Sequence, residues 1–327
     1  MKTLHIDVFN PSLIYTASPF CGGQVFAKGF EKNGHEVYRF DYRASQIPNK
    51  ELITFAETIK PDLLFFGKCE RITPETVGLL RSKYPNAIFV KWLADCRNEP
   101  TDFDLNHLKY MDLLVATHAG EYLAKHKKVM PSGSKAMSIF TFTDSDFYKH
   151  YDYPTEFESD VLWTGRRGFG DNEMRNVIID KIKELAKRSD MRVKTYGVDG
   201  ENWLGYPEYL YAICGTKIGI GSNSFNRRKY SSDRLGNYMA CGTFYFPQYI
   251  EGIEECFTRF KNLDWFETID EMVYGIEYYL ECPEEREEIA KKGQKFVLKH
   301  FDTKPLVKNI LNVLETGKSL YKWDEII

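Results

Sequence analysis

The sequence predicts an α/β protein with two Rossmann-like domains, each a parallel sheet covered by helices. Three observations carry this. At 327 residues the chain exceeds what one core usually serves, so two domains are the natural division. Short β-rich runs alternate with helical patterns twice over, as βα repeats of a parallel sheet do. Between the two series lies TDSDFYKHYDYPTEFES (143–159), a polar, aromatic stretch with neither helical nor strand period, which reads as a linker. The expected domains are 1–150 and 151–302, followed by a C-terminal piece, 303–327.

In the first half the expected strands are 4–9, 36–40, 62–66, 87–92 and 112–116. Helical patterns fall between them at 24–32, 50–59 and 74–84, the last opened by Thr73 as N-cap with Pro74 at the first helical position. The second half repeats the scheme with strands at 161–163, 192–196, 217–219 and 244–246 and helices at 173–188 and 235–240. The remainder is helical. Thr268 and Glu271 form a capping box, helices follow at 283–299 and 305–315, and Leu306, Ile310 and Leu314 give the last one an apolar stripe.

Composition narrows the function classes. With 43% hydrophobic and 28% charged residues the chain is an ordinary globular protein, and a net charge of −3 argues against general coating of nucleic acid. Seven cysteines, an odd number without a Cys-x-x-Cys pair, fit a reduced, cytoplasmic protein. No run approaches the ~18 apolar residues of a membrane span. MKTLHIDVFN is too short and polar for a secretory segment, so any membrane contact is expected to be peripheral.

Open parallel sheets take ligands at the carboxyl ends of their strands, and a linker between two of them makes the interdomain cleft the default site. The loop PFCGG (19–23) brings Gly22 and Gly23 to a helix N-terminus, where backbone N–H groups can meet an anion or simply make a tight turn. The loop GRRGFG (165–170) holds the equivalent place in the second half. Gly165, Arg166 and Arg167 there could grip a diphosphate, or form a solvated basic turn. Neither loop is a P-loop or a dinucleotide fingerprint.

NRRK (226–229) adds Arg227 and two more positive charges just ahead of YSSDRLGNYMACGTFYF (230–246). In that stretch Ser231, Ser232 and Asp233 are placed to cap a helix beginning near Leu235 and Gly236, with its N–H groups and positive dipole end directed at the cleft. For acid–base work Asp95, after the fourth strand, and His118, after the fifth, stand at strand ends. Their alternatives are a turn cap and a packed histidine. The Asp-x-Asp strings at 102–104 and 144–146 have no further ligand spacing, so no metal is expected. Nor is there a Gly-x-Ser-x-Gly elbow.

These pieces resemble a known family. GGQVFAKGFEKNGHEV (22–37) is similar to the opening β-loop-α-β of GT-B glycosyltransferases. SDVLWTGRRGFGDNEMRNVIIDKI (159–182), VKTYG (193–197), SSDRLGNYMACGTFYF (231–246) and YYLECPEEREEIAKKGQKFVLKHF (278–301) resemble, in order and spacing, the glycosyltransferase-like domain of the CgeB, or spore-maturation, family within the group 1 superfamily. The resemblance implies a GT-B fold and a nucleotide-sugar-dependent transferase, with the donor, a co-substrate rather than a cofactor, held by the second domain. It implies that 303–327, a helix and tail, packs back toward the first domain. Gly165 and Arg166 match the glycine turn, Arg175 an arginine on the next helix, Ser232 and Arg234 a Ser-x-Arg before the nucleotide-contacting helix.

The chain departs from relatives at two positions. Asn237 stands where many have a Glu expected to bind the ribose hydroxyls, and Lys229 stands eight residues earlier, at the first Glu of the Glu-x7-Glu pair. An amide can bond a hydroxyl but lacks the charge-assisted part. The stereochemistry of transfer is therefore not inherited. The leading reading is a metal-independent glycosyltransferase acting on a hydroxyl acceptor, be it glycan, lipid-linked sugar, protein, small molecule or modified nucleic acid. Its rivals are a sugar-nucleotide epimerase or phosphorylase on the same fold and a non-catalytic nucleotide- or sugar-binding module.

Overall fold

The computed structural model describes residues 1–9, 22–188, 190–201 and 203–327. Its contacts divide the chain into two compact units, Met1–Phe140 with Thr303–Ile327, and Thr141–Asp302.

The first unit runs β1 (Lys2–Asp7), α1 (Gly22–Lys32), β2 (Glu36–Asp41), α2 (Pro48–Ile59), β3 (Leu63–Phe66), α3 (Pro74–Lys83), β4 (Ile88–Leu93), α4 (Asp102–Leu108), β5 (Leu113–Ala116), α5 (Gly120–Lys127) and β6 (Lys135–Ser138). All six strands are parallel, in the order β2-β1-β3-β4-β5-β6. β3 (LLFF) and β5 (LLVA) are buried at every position, as strands covered by helices on both faces must be. Thr73 caps α3 as expected, its hydroxyl accepting from Thr76 N at 3.3 Å.

The second unit runs β7 (Ser159–Thr164), α6 (Met174–Leu185), β8 (Val193–Tyr196), α7 (Glu208–Cys214), β9 (Thr216–Gly221), α8 (Arg234–Cys241), β10 (Phe244–Pro247), α9 (Ile253–Cys256), α10 (Ile269–Glu281) and α11 (Pro283–His300). Its four parallel strands lie in the order β10-β9-β7-β8, over a core that includes Trp163, Ile178, Ile182, Phe246 and Ile276. The capping box at α10 forms in part. Thr268 accepts from Glu271 N, but the Glu271 carboxylate reaches Glu267 N, one residue before the cap.

Residues 141–150, grouped with the first domain by the expected boundary at 150, belong instead to the second unit. Thr143 N bonds Phe301 O at 3.0 Å, and Ser145 donates to the Asp302 carboxylate through its N–H at 2.9 Å and its hydroxyl at 2.7 Å. The stretch read as a linker is thus tied down by polar bonds that no hydrophobic period reports.

The final helix, α12 (Thr303–Thr316), lies on α1. A Cβ added to Gly29 would stand 2.3 Å from Val307 Cγ2 and 2.5 Å from Thr303 O, so this glycine sets how closely the helices approach. The tail then pairs antiparallel with β6, Ala136 and Ile327 exchanging two 2.9 Å backbone bonds, and covers an otherwise open sheet edge. No helix among the described residues is long and apolar enough to cross a membrane.

Candidate functional site

In the second unit the sequence sends β7 into a left-handed turn at Gly165 (φ +125°). Only glycine suits this place. Besides the positive φ, a Cβ would come within 2.9 Å of Arg234 Nη1 and 3.2 Å of Arg175 Nη2. The two arginines arrive from different elements, Arg175 from the first turn of α6 and Arg234 from the start of α8. They converge on one acceptor, the Ser222 carbonyl at the end of β9: Arg234 Nη2 donates to it at 3.1 Å, and Arg175 Nη1 also bonds it.

Arg175 is 2% exposed. Its Nη2 donates to Arg166 O at 2.7 Å, its guanidinium lies 4.9 Å from the centre of the Trp163 ring, and its buried Nε has no hydrogen-bond partner among the described residues. Burial, and then the neighbouring charge of Arg234, push its pKa down to about 9. No carboxylate among the described residues forms an ion pair with Arg166, Arg175 or Arg234. Arg166 instead lies over the exposed Phe169 ring at 4.5 Å. Two cations, one buried and one half-buried, that share one neutral acceptor make a place where an anion is favoured.

At α8, Asp233 is the N-cap residue but takes helical angles (φ −54°, ψ −25°), and its side chain makes no cap. Ser231 turns its hydroxyl to Ser232 O at 3.1 Å, and Ser232 N donates to Asn223 Oδ1 at 3.0 Å. The expected side-chain cap by these three residues is therefore not made. A shallow depression lined by Ser222, Asn223, Ser232, Leu235, Tyr245 and Gln248 opens at this end of the helix. Gly236 lets α8 press onto the preceding chain, since a Cβ there would stand 2.3 Å from Phe142 O. Gly242 ends the helix in the left-handed region at φ +85°, which explains the Ala-Cys-Gly turn.

Other expected site residues have different partners. Arg167 is held on the surface by Asp199 at 2.6 Å and Asp180 at 2.7 Å. Each charge of the NRRK run is met by a carboxylate, three in all: Arg227 pairs with Asp171, Arg228 with Glu255 and, at 3.7 Å, Glu251, and the buried Lys229 with Glu255 at 2.6 Å. This run was expected to favour an anionic ligand; its charges are neutralised where they stand. Asn237 is buried, with Thr143 Oγ1 at 3.4 Å from its Oδ1 and Asp233 Oδ2 at 3.5 Å from its Nδ2.

Gly22 and Gly23 lie in the first unit, at the start of α1; residues 19–21 of their loop lie outside the described residues. A Cβ on Gly23 would stand 3.0 Å from Asp7 Oδ2. The protein's own carboxylate thus sits beside this glycine, where an anionic ligand would be repelled. Asp95 is exposed two residues past β4, with Lys68 Nζ at 3.4 Å. His118 is fully buried, its ring 4.8 Å from Tyr122 and 5.2 Å from His126. A ring closed off from solvent cannot take a proton from an incoming hydroxyl, so of the two candidates Asp95 is the better placed. Among the described residues no group of three or more His, Cys, Asp and Glu side chains gathers to hold a metal ion.

Two open parallel sheets, with cationic side chains gathered at the strand ends of the second, define the architecture of the GT-B glycosyltransferases. Residues 175–312 match the profile of a family described as glycosyl transferase-like. Among solved structures, Anabaena HepE in complex with UDP and glucose is similar at 13% identity over 97% of this chain and 100% of that one, with a TM-score of 0.63. Sucrose-phosphate synthase from Thermosynechococcus elongatus is similar at 11% identity over the same shares, also at 0.63. A putative UDP-N-acetylglucosamine 2-epimerase from Listeria monocytogenes matches at 10% identity over 97% and 96%, at 0.56. At these identities the likeness is one of fold. No protein of curated function matches the sequence.

Proposed function

We propose that the protein is a CgeB-like glycosyltransferase that moves a sugar from a nucleotide-sugar donor to a hydroxyl acceptor, with the donor diphosphate held by Arg175, Arg234 and Arg166. The observation that carries this is the convergence of the buried Arg175 and the half-buried Arg234 on the Ser222 carbonyl, with no carboxylate among the described residues in an ion pair with either. Charge grows on the diphosphate as the sugar leaves, and cations already in place stabilise it without reorganising. The first turn of α8 adds its dipole. This arrangement does the electrostatic work of a metal, so transfer should resist EDTA. Where the reaction inverts the sugar, Asp95, exposed and kept near Lys68, is the base for the acceptor hydroxyl. Arg167, Arg227 and Lys229 are left out of this site because carboxylates hold them.

The test is thermal unfolding with UDP-, GDP-, ADP- and dTDP-sugars, on the native chain and on Arg234→Ala. Stabilisation by at least one donor, lost in the variant, is expected. No shift with any donor, or the same shift in the variant, would falsify the reading. An epimerase or phosphorylase on this fold would turn over its donor without an acceptor, which a product assay lacking acceptor distinguishes.

A further inference from the structure

Two thiols lie side by side in the second unit. Cys214 is the last residue of α7 and Cys241 the last of α8, and each helix soon runs into its strand, β9 at Thr216 and β10 at Phe244. Those strands are parallel neighbours with Phe244 opposite Ile218, and neighbouring strands lie about 4.8 Å apart, so the two helix ends are brought together at the N-terminal edge of the sheet. Thr243 Oγ1 donates to Ile213 O at 2.7 Å and ties the chain just past α8 to the last turn of α7. The side chains meet there, Cys241 giving a hydrogen bond to the Cys214 sulfur.

The two sulfurs are not equivalent. Cys241 is 2% exposed, whereas Cys214 is partly open, and as a thiol its sulfur donates to Lys149 O at 3.6 Å on the solvent side. The bond from Cys241 holds the Cys214 thiol below the usual cysteine range; burial opposes this and the Tyr151 backbone N–H assists it. Cys241, the donor of that bond and deeply buried, is pushed well up. The thiolate is the nucleophilic form of cysteine, and oxidants select an accessible thiol of low pKa that stands beside a second, resolving thiol.

We propose that Cys214 and Cys241 are a peroxide-reactive pair, in which Cys214 is oxidised first and Cys241 resolves it to an intramolecular disulfide. The oxidant is a hydroperoxide. The Cys214 thiolate attacks one peroxide oxygen, the O–O bond breaks, and the other oxygen leaves as water or an alcohol with the proton that Cys214 gave up. The Cys241 sulfur then attacks the Cys214 sulfenic acid: the S–O bond breaks, the S–S bond forms, and hydroxide departs as water with the Cys241 proton. Two thiols lose two electrons and the peroxide gains them. In a reducing compartment thiol exchange restores the pair. Arg234 opens α8 and Cys241 closes it, about 10 Å away along the helix axis, so this chemistry is independent of the donor reading.

The full native chain, reduced and then given a small excess of hydrogen peroxide, tests this by mass spectrometry after the remaining thiols are alkylated. A disulfide joining the peptides of Cys214 and Cys241 should form, lowering the intact mass by about 2 Da, and dithiothreitol should reverse it. Without peroxide, Cys214 should react with iodoacetamide at neutral pH about tenfold faster than Cys282, which is also partly open but bonds Tyr278 rather than a thiol. Cys241→Ala should halt oxidation at a Cys214 sulfenic acid that dimedone captures, and Cys214→Ser should leave Cys241 reduced at the same dose. Both measurements on the native chain stand whether or not the variants fold.

Oxidation that reaches Cys282 first, a disulfide between other cysteines or between two chains, or Cys214 carried to sulfinic acid while Cys241 stays reduced would overturn the pair. A Cys214 that reacts no faster than Cys282 would do the same. None of these results touches the arginine site.

Discussion

Replacing Arg175 by Met separates ligand binding from stability. The guanidinium is almost fully buried and its pKa is pushed from the ordinary arginine value down to about 9, chiefly by burial and then by the charge of Arg234. At 1.36 kcal/mol per pKa unit this difference corresponds to about 5 kcal/mol held against the charged form. Methionine keeps most of the aliphatic stem but loses the bonds to Arg166 O and Ser222 O, about 1 kcal/mol each, and the cation–π contact with Trp163, about 1–2 kcal/mol. The balance favours the variant by roughly 1–2 kcal/mol, or about 2–6 °C in Tm. Removing an unpaired buried charge often has this sign.

The native chain should gain about 2.7 kcal/mol from a donor or pyrophosphate at one hundred times its Kd, and the variant should lose that gain. Differential scanning fluorimetry with and without ligand measures both quantities. A variant that melts several degrees lower and still responds to ligand would refute the reasoning, because Arg175 would then be a structural bond rather than half of an anion site.

Asp95→Asn should leave donor-induced stabilisation unchanged and lower transfer by about 10²–10⁴-fold if the carboxylate takes the acceptor proton, measured as kcat with the acceptor in excess; an unaltered kcat would remove Asp95 from that role. Burial alone would lift the Glu255 carboxyl, but Lys229 and Arg228 outweigh it and hold the group below its usual range. The resulting stability is complete above the ordinary glutamate pKa of about 4.3 and fades as pH falls through the lowered value. Glu255→Gln should therefore flatten the acid limb of a Tm-against-pH profile, and an unchanged limb would show that the pairing contributes nothing.

The sheets were legible because strands buried on both faces leave unbroken apolar runs, as in the LLFF of β3. α4, α5 and α7 were not, since seven or eight residues give too few turns for a period to show. Within the site, Gly165, Arg175 and Arg234 could be named from sequence. Ser222, on which two of them converge, could not, because its contribution is a backbone carbonyl that any residue would supply. The exposed charges misled for a related reason. Arg167 and Arg227 look free in the sequence, but Asp199 and Asp171 lie 32 and 56 positions away along the chain, and only folding brings them together. Asp7 hid likewise, as a polar residue closing an apolar strand, with no sign that Gly23 would meet it.

The discontinuous first unit bears on how the chain is made. α12, which lies on Gly29 of α1, and the tail strand that pairs with Ala136 leave the ribosome only after all of residues 141–302. At 5–20 residues per second that delay is roughly ten to thirty seconds. During it the nascent chain carries an uncovered helix face and an unpaired edge strand, while the later-made unit already has every element it needs. Assembly is thus expected to run against the direction of synthesis, with the middle of the chain maturing before its beginning.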